Sequence, residues 1–222
     1  MSAAMITCLS HSPIIPLCKK PPPEEAAIAA GLARCRGAIA RFDPEVIILF
    51  GSDHFAGFHL DLVPAFCIGL EAAAYDDVGG TPGPLDVPKD QALALVEHLR
   101  DEGFDPAVSH RMKVDHGFSQ PLGRLFGRND RYPIIPVFVN ALSPPLARFS
   151  RSRALGAAAG RYAARSGKRT LFLASQASST AFVCPSGKPS ARVQCSRPSQ
   201  ALVRRNNEAN FRPPSGAWHW RK

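Results

Sequence analysis

The 222-residue chain lacks any apolar run long enough to cross a bilayer: its strongest, Glu45–Phe50, falls far short of the ~20 residues a membrane helix needs. It shows no basic start followed by a long apolar stretch, which argues against a secretory signal. Its six cysteines (Cys8, Cys18, Cys35, Cys67, Cys184 and Cys195) include no CxxC pair, so neither a disulfide framework nor a zinc ribbon is indicated. A cytoplasmic protein without membrane contact is the expectation. No P-loop, GxGxxG or GxSxG occurs, which removes the positive evidence for a nucleotide enzyme or a serine hydrolase. Acidic residues are scarce in one place only: residues 176–222 hold Glu208 alone against eight Lys and Arg.

That scarcity relocates the net charge of +9, which would otherwise invite a nucleic-acid reading. Residues 176–222 carry +7 and residues 1–175 only +2. No recognition motif supports nucleic-acid binding, so no nucleic-acid partner is expected. The same segment has seven serines, five prolines and no periodicity of 2 or 3.6, which reads as a basic, disordered tail.

Residues 1–175 alternate between strand and helix patterns. Met5–Leu9, Glu45–Phe50, Leu60–Leu70, Pro106–Met112, Pro133–Asn140 and Thr170–Ala174 read as strands, with Pro64 placing the third at an edge or a bulge. Glu24–Phe42, Pro88–Glu102 and Leu146–Arg165 read as helices, the second with an apolar stripe at Leu93, Val96 and Leu99. Phe118–Phe126 is a short helix at best, with Pro121 in its first turn. The expected fold is an α/β sheet with helices on both faces. Cys8, Cys35 and Cys67 lie in apolar runs and read as core.

Three of the seven histidines share a context, a turn directly after a strand: His11 in Ser-His-Ser-Pro, His54 in Ser-Asp-His, and His116 in Val-Asp-His-Gly. Sites in open α/β sheets gather at the carboxyl ends of strands, so these three can converge. Neutral imidazole is the commonest metal ligand and a proton shuttle near neutral pH. A lone histidine after a strand is ordinarily a loop or capping residue; three in one relative position favour a shared site. Two histidines and a carboxylate would suit ferrous iron. Asp53 and Asp115 adjoin His54 and His116, and adjacent side chains diverge, so these acids are expected to hydrogen-bond rather than share a metal with their neighbours. His98 on its helix reads as solvated, and His59 and His110 as surface or strand-end residues. A zinc-type hydrolase using His11, His54 and His116 is the competing enzyme reading.

The ordered set Cys8–Pro13, Pro44–His54, Pro64–Gly69, Val114–Leu122 and Ile135–Asn140 resembles the class III extradiol ring-cleavage dioxygenases, from about Ile6 to Ser175. Each short motif is weakly specific; their order is highly specific. The resemblance implies Fe(2+) chemistry in aromatic catabolism: meta cleavage by O2 of a catechol such as 2,3-dihydroxyphenylpropionate or 2,3-dihydroxycinnamate, in a homo-oligomer, often a tetramer. It implies His11 and His54 as iron ligands and His116 as the proton donor, held by Asp115 and made mobile by Gly117.

Two features of that family are missing. The family reads Ser-Gly-Gly-Leu-Ser-His after its matching strand, the histidine being the base, whereas here Ser175 is followed by Gln176-Ala-Ser-Ser-Thr180. Thr180 stands where the base would be, and a hydroxyl does not accept a proton near pH 7 as imidazole does. The third, carboxylate ligand comes from a later region of the family. A shifted reading frame would account for both: if Gln-Ala-Ser-Ser-Thr-Ala is encoded by the permitted codons CAG GCC TCA TCC ACA GCC, the same bases read two positions later give Gly-Leu-Ile-His-Ser. Residues 1–175 are therefore expected to be the N-terminal part of the catalytic domain, truncated relative to the family, with 176–222 out of frame. The alternative is an inactive remnant or a binding-only relative.

Overall fold

The computed structural model describes residues 3–11, 25–54, 58–77 and 79–176. Thr180, His219, the basic segment and three of the cysteines (Cys18, Cys184, Cys195) lie outside them.

The element order is β1 (Ala4–Ser10), α1 (Glu25–Phe42), β2 (Val46–Gly51), β3 (Phe66–Gly69), β4 (Ala72–Ala74), β5 (Gly83–Leu85), α2 (Lys89–Asp101), β6 (Ala107–Ser109), β7 (Met112–Val114), α3 (His116–Phe126), β8 (Ile134–Val139), α4 (Phe149–Ser166) and β9 (Thr170–Gln176). The main sheet runs β1-β9-β2-β8-β3-β6, and a small sheet runs β5-β4-β7. β1, β9, β2 and β8 are parallel; β3 runs antiparallel to β8.

The two inner strands β2 and β8 are buried along their whole length, as their near-continuous apolar sequences require. Their side chains divide between two cores. Ile47, Leu49, Ile134 and Phe138 pack with Cys35 and Ile39 of α1 and with Phe118, Leu122 and Leu125 of α3. Val46, Ile48, Phe50, Ile135 and Val137 pack with Leu95 and Leu99 of α2 and Leu155 and Ala158 of α4. The expected α/β sheet with helices on both faces is the observed architecture.

Pro136 sits inside β8, a central strand, where proline would break a ladder. The β3 ladder covers only Val137–Val139, so Pro136 lies just beyond it. Gly69 makes room there: a Cβ at Gly69 would lie 2.9 Å from Pro136 Cγ and 2.8 Å from Met112 Sδ.

Several expectations are corrected. The strand expected over Leu60–Leu70 is only Phe66–Gly69; it lies inside the sheet rather than at an edge, and Leu60 and Leu62 stand 69% exposed before it. The run Pro106–Met112 is split, β6 joining the main sheet and β7 the small one, because Leu70 N–H donates to Ser109 O and Met112 N–H to Glu71 O where both strand pairs change sheets. Leu93 is exposed, and the buried face of α2 is Ala92, Leu95, Val96 and Leu99. His98 belongs to that face too: it is buried, with Nε2 3.1 Å from Ala158 O and Nδ1 3.1 Å from an Arg165 guanidinium nitrogen, because α4 packs over it and supplies polar partners. Cys8 is exposed, since β1 is an edge strand, whereas Cys35 and Cys67 are core. His59 and His110 are exposed, as expected. Among the described residues no helix is long and apolar enough to cross a membrane.

Candidate metal centre

The parallel strands deliver their carboxyl ends to one place. His11 follows β1, Ser52-Asp53-His54 follows β2, Ser175 closes β9, and Asp115-His116 joins β7 to α3. His11 and His116 are buried, and His54 is partly exposed. The ring centroids lie 5.2 Å (His11–His54), 5.6 Å (His11–His116) and 4.3 Å (His54–His116) apart. One nitrogen from each ring falls within 4.8 Å of the others.

Each ring is anchored through Nδ1. His54 Nδ1 is 2.8 Å from Asp115 Oδ2, and the His54 backbone N–H donates to the same oxygen at 2.6 Å. His116 Nδ1 is 2.5 Å from Asp77 Oδ2, which also accepts the His116 backbone N–H at 3.0 Å. His11 Nδ1 is 2.8 Å from Ser175 Oγ. An ionised carboxylate only accepts, so Asp115 and Asp77 draw the ring proton of His54 and His116 to Nδ1 and leave Nε2 for other work. Nε2 of His11 and of His116 is buried with no protein partner among the described residues. Buried polar nitrogens are rarely left so. Converging, unpartnered imidazole nitrogens are the donor set a divalent cation fits.

Electrostatics support that role for His11. Burial, followed by the neighbouring His54 and His116, pushes its pKa down to about 4, so its ring is neutral at pH 7 with a lone pair available. His54 moves the other way: its bond to Asp115 raises its pKa against the opposing effect of burial.

The acids are arranged differently from expectation. Asp115 holds His54, not His116. It is the N-cap of α3: Oδ1 accepts Gly117 N–H at 2.8 Å, so the carboxylate turns back over the helix start toward β2 while His116 departs on another side. Asp77, which the sequence shows only as part of a Gly/Pro/Asp loop, is what holds His116. Its loop is pinned on α3: Thr81 N–H lies 3.3 Å from Ser119 Oγ, and Asn129 Nδ2 donates to Thr81 O at 2.6 Å. Nothing in the local sequence signals this tertiary contact. Asp53 is fully buried, and its charge acts on His54. At Gly117 a Cβ would sit 2.4 Å from Ser52 O, so glycine lets α3 close against the loop after β2. Tyr75, also unforeseen, has a buried hydroxyl without a partner among the described residues, and burial together with the Asp53, Asp115 and Asp77 charges raises its pKa.

The chain is 44% identical over 173 residues to 2,3-dihydroxyphenylpropionate/2,3-dihydroxicinnamic acid 1,2-dioxygenase 2 of Dechloromonas aromatica (strain RCB), covering 78% of this chain and 55% of the relative. It is 46% identical over 172 residues to the like-named protein of Pseudomonas putida, with the same two coverages. It is 45% identical over 168 residues to 2,3-dihydroxyphenylpropionate/2,3-dihydroxicinnamic acid 1,2-dioxygenase of Azotobacter vinelandii (strain DJ / ATCC BAA-1303), covering 76% and 54%. The chain thus spans about half the length of the curated relatives it matches. Residues 5–198 match the family described as the catalytic LigB subunit of aromatic ring-opening dioxygenase, and with its histidines gathered at the strand ends this chain belongs to that family.

Proposed function

We propose that this chain carries the metal-binding and proton-donating part of a site for extradiol cleavage of 2,3-dihydroxyphenylpropionate and 2,3-dihydroxycinnamate by O2. The observation that carries the reading is the convergence of three Nδ1-anchored histidines. His11 and His54 hold Fe(2+). The ion supplies, when bound, a place where the two catechol oxygens and dioxygen meet. His116 is the proton donor: Asp77 occupies its Nδ1, so Nε2 is the nitrogen that faces the site and moves the working proton. Asp115 fixes the His54 ring, and Asp53 adds negative charge beside it. The resemblance to the ring-cleavage dioxygenases is the ground for reading the chain as a cytoplasmic homotetramer, and light scattering of the purified chain tests the assembly.

Turnover by the chain as it stands is low in this reading, because Thr180 occupies the position of the family's base. A frameshift after Ser175 is the proposed origin, supported by the confinement of +7 of the charge to residues 176–222. The reading as an inactive relative rests on Thr180 and is resolved by one experiment. The chain and a version with its reading frame restored at codon 176 are loaded anaerobically with Fe(2+), mixed with 2,3-dihydroxyphenylpropionate and exposed to O2. The restored version is expected to give the yellow ring-opened product about 100-fold or more faster, the usual scale of a lost acid–base group. Rapid product from the unaltered chain overturns the assignment of the base; none from either overturns the function.

A further inference from the structure

The anchor of His11 differs in kind from the other two. Asp115 and Asp77 are carboxylates and accept unconditionally; Ser175 offers a hydroxyl, which can donate or accept. Which it does toward His11 decides the nitrogen that His11 turns to the site. If Ser175 donated, the ring proton would move to Nε2, and His11 could not ligate a metal through that atom.

The rest of the contact settles the direction. Ser175 is fully buried, and its Oγ lies 2.5 Å from Gly117 O. A carbonyl can only accept, so the single hydroxyl proton is committed there. Gly117 O is in turn a special carbonyl. It stands in the first turn of α3, and the amide that would close its helical bond belongs to residue 121, four positions on. That residue is Pro121, which has no N–H. The proline therefore leaves Gly117 O open to an outside donor. Gly117 itself lacks a side chain, which keeps this first turn tight against the loop after β2, where a Cβ would strike Ser52 O. The chain of consequence runs from Pro121 through Gly117 O and Ser175 Oγ to His11 Nδ1, and crosses from α3 to β9 to the end of β1.

We infer that Ser175, directed by the missing amide of Pro121, is a positioning residue that locks His11 in its Nδ1–H tautomer and so presents Nε2 to the metal. This deepens the metal reading given above and rests on it only for the purpose of the lock, not for its existence.

The test reads the tautomer directly in the metal-free 222-residue chain labelled with 15N-histidine, using long-range proton–nitrogen correlations at neutral pH. The His11 signals are assigned by their loss in His11→Gln. In the unaltered chain His11 is expected to carry its proton on Nδ1. Pro121→Ala supplies an amide to Gly117 O and releases the Ser175 proton to His11, so the Nε2–H form becomes prominent. Ser175→Ala removes the acceptor and gives a mixture of tautomers, and adding Pro121→Ala to it produces no further change. Both single variants are expected to bind Co(2+), used as the probe ion, about tenfold more weakly, the lower end of what outer partners contribute. An Nε2–H tautomer in the unaltered chain overturns the inference without any variant having to fold. Unchanged tautomers in both single variants overturn it equally. Tautomer shifts as described with no Co(2+) binding by the unaltered chain would leave the lock standing and defeat the metal reading instead.

Discussion

Asp115 shows how one buried side chain organises the site. It is fully buried and takes three donors: Gly117 N–H on Oδ1, and the backbone and ring N–H of His54 on Oδ2. Asp115→Asn keeps one acceptor oxygen but, whichever way the amide is turned, sets an NH2 against at least one N–H group, that of Gly117 or those of His54. A buried donor facing donors loses its bonds and gains nothing, so the variant is expected to be destabilised by about 3 kcal/mol in urea titration. Its affinity for Co(2+) should also fall 10- to 100-fold, because the His54 ring loses its orientation. A stability within about 0.5 kcal/mol of the parent would show that the carboxylate is dispensable. At this scale the sequence was informative where chemistry is local. His11, His54 and His116 were recognisable from their place after strands. Asp77 was not, because its partner is 39 residues away and its loop is placed by Ser119 and Asn129 rather than by its own neighbours. The pairing of each acid with its histidine was likewise invisible, since adjacency in sequence pointed Asp115 at His116.

Elements with a strong period were legible and those shaped by neighbours were not. α1 and α2 lie within a residue of their expected bounds, because an Ala-rich run ending before Pro44 and a run opening after Pro88 carry their own start and stop signals. α3 begins two residues earlier than expected, with Pro121 well inside it. The lost amide bond is tolerable there because Gly117 O finds Ser175, a residue from another part of the sheet. His98 illustrates the same limit: a helix surface looks solvated until α4 is laid on it. Two glycines, Gly117 and Gly69, mark where elements touch, and they should respond differently to alanine. At Gly117 the new Cβ meets the Ser52 carbonyl, a backbone atom that cannot turn aside. At Gly69 it meets Met112 Sδ and the Pro136 ring edge, of which the thioether can move. Gly117→Ala is expected to cost about 3 kcal/mol and Gly69→Ala about 1 kcal/mol, as overpacking does when relief is absent or present. Equilibrium unfolding of the two variants checks the order; a reversed order would mean that α3 shifts as a body.

Across the whole molecule, composition separates a nearly neutral α/β unit from a basic segment, and that division was visible before any element was placed. The opposed shifts of His11 and His54 then give the metal-free protein a pH profile whose sign can be worked out. His11 has a folded pKa of about 4 against an ordinary value of 6.5. Between those values the unfolded chain binds a proton that the folded chain refuses, so His11 makes stability fall as pH falls through this window. The full effect is on the order of 3 kcal/mol at its acid end. His54 is raised, so its contribution is complete below pH 6.5 and is lost as pH rises through its folded value. Glu45 and Glu102, both lowered, are held by arginine contacts and lose their contributions only as pH falls below 4.5. Of these shifts only that of His11 acts in the window from pH 6.5 to 4.5. Urea midpoints measured in steps across it should decline toward acid in the metal-free chain, and His11→Gln should flatten the decline, because glutamine takes up no proton. A slope unchanged by His11→Gln would place the acid sensitivity elsewhere. Adding Co(2+) should steepen the fall from its neutral end, since the ion requires both rings unprotonated and His54, whose pKa is raised, is the first to take up a proton, before His11.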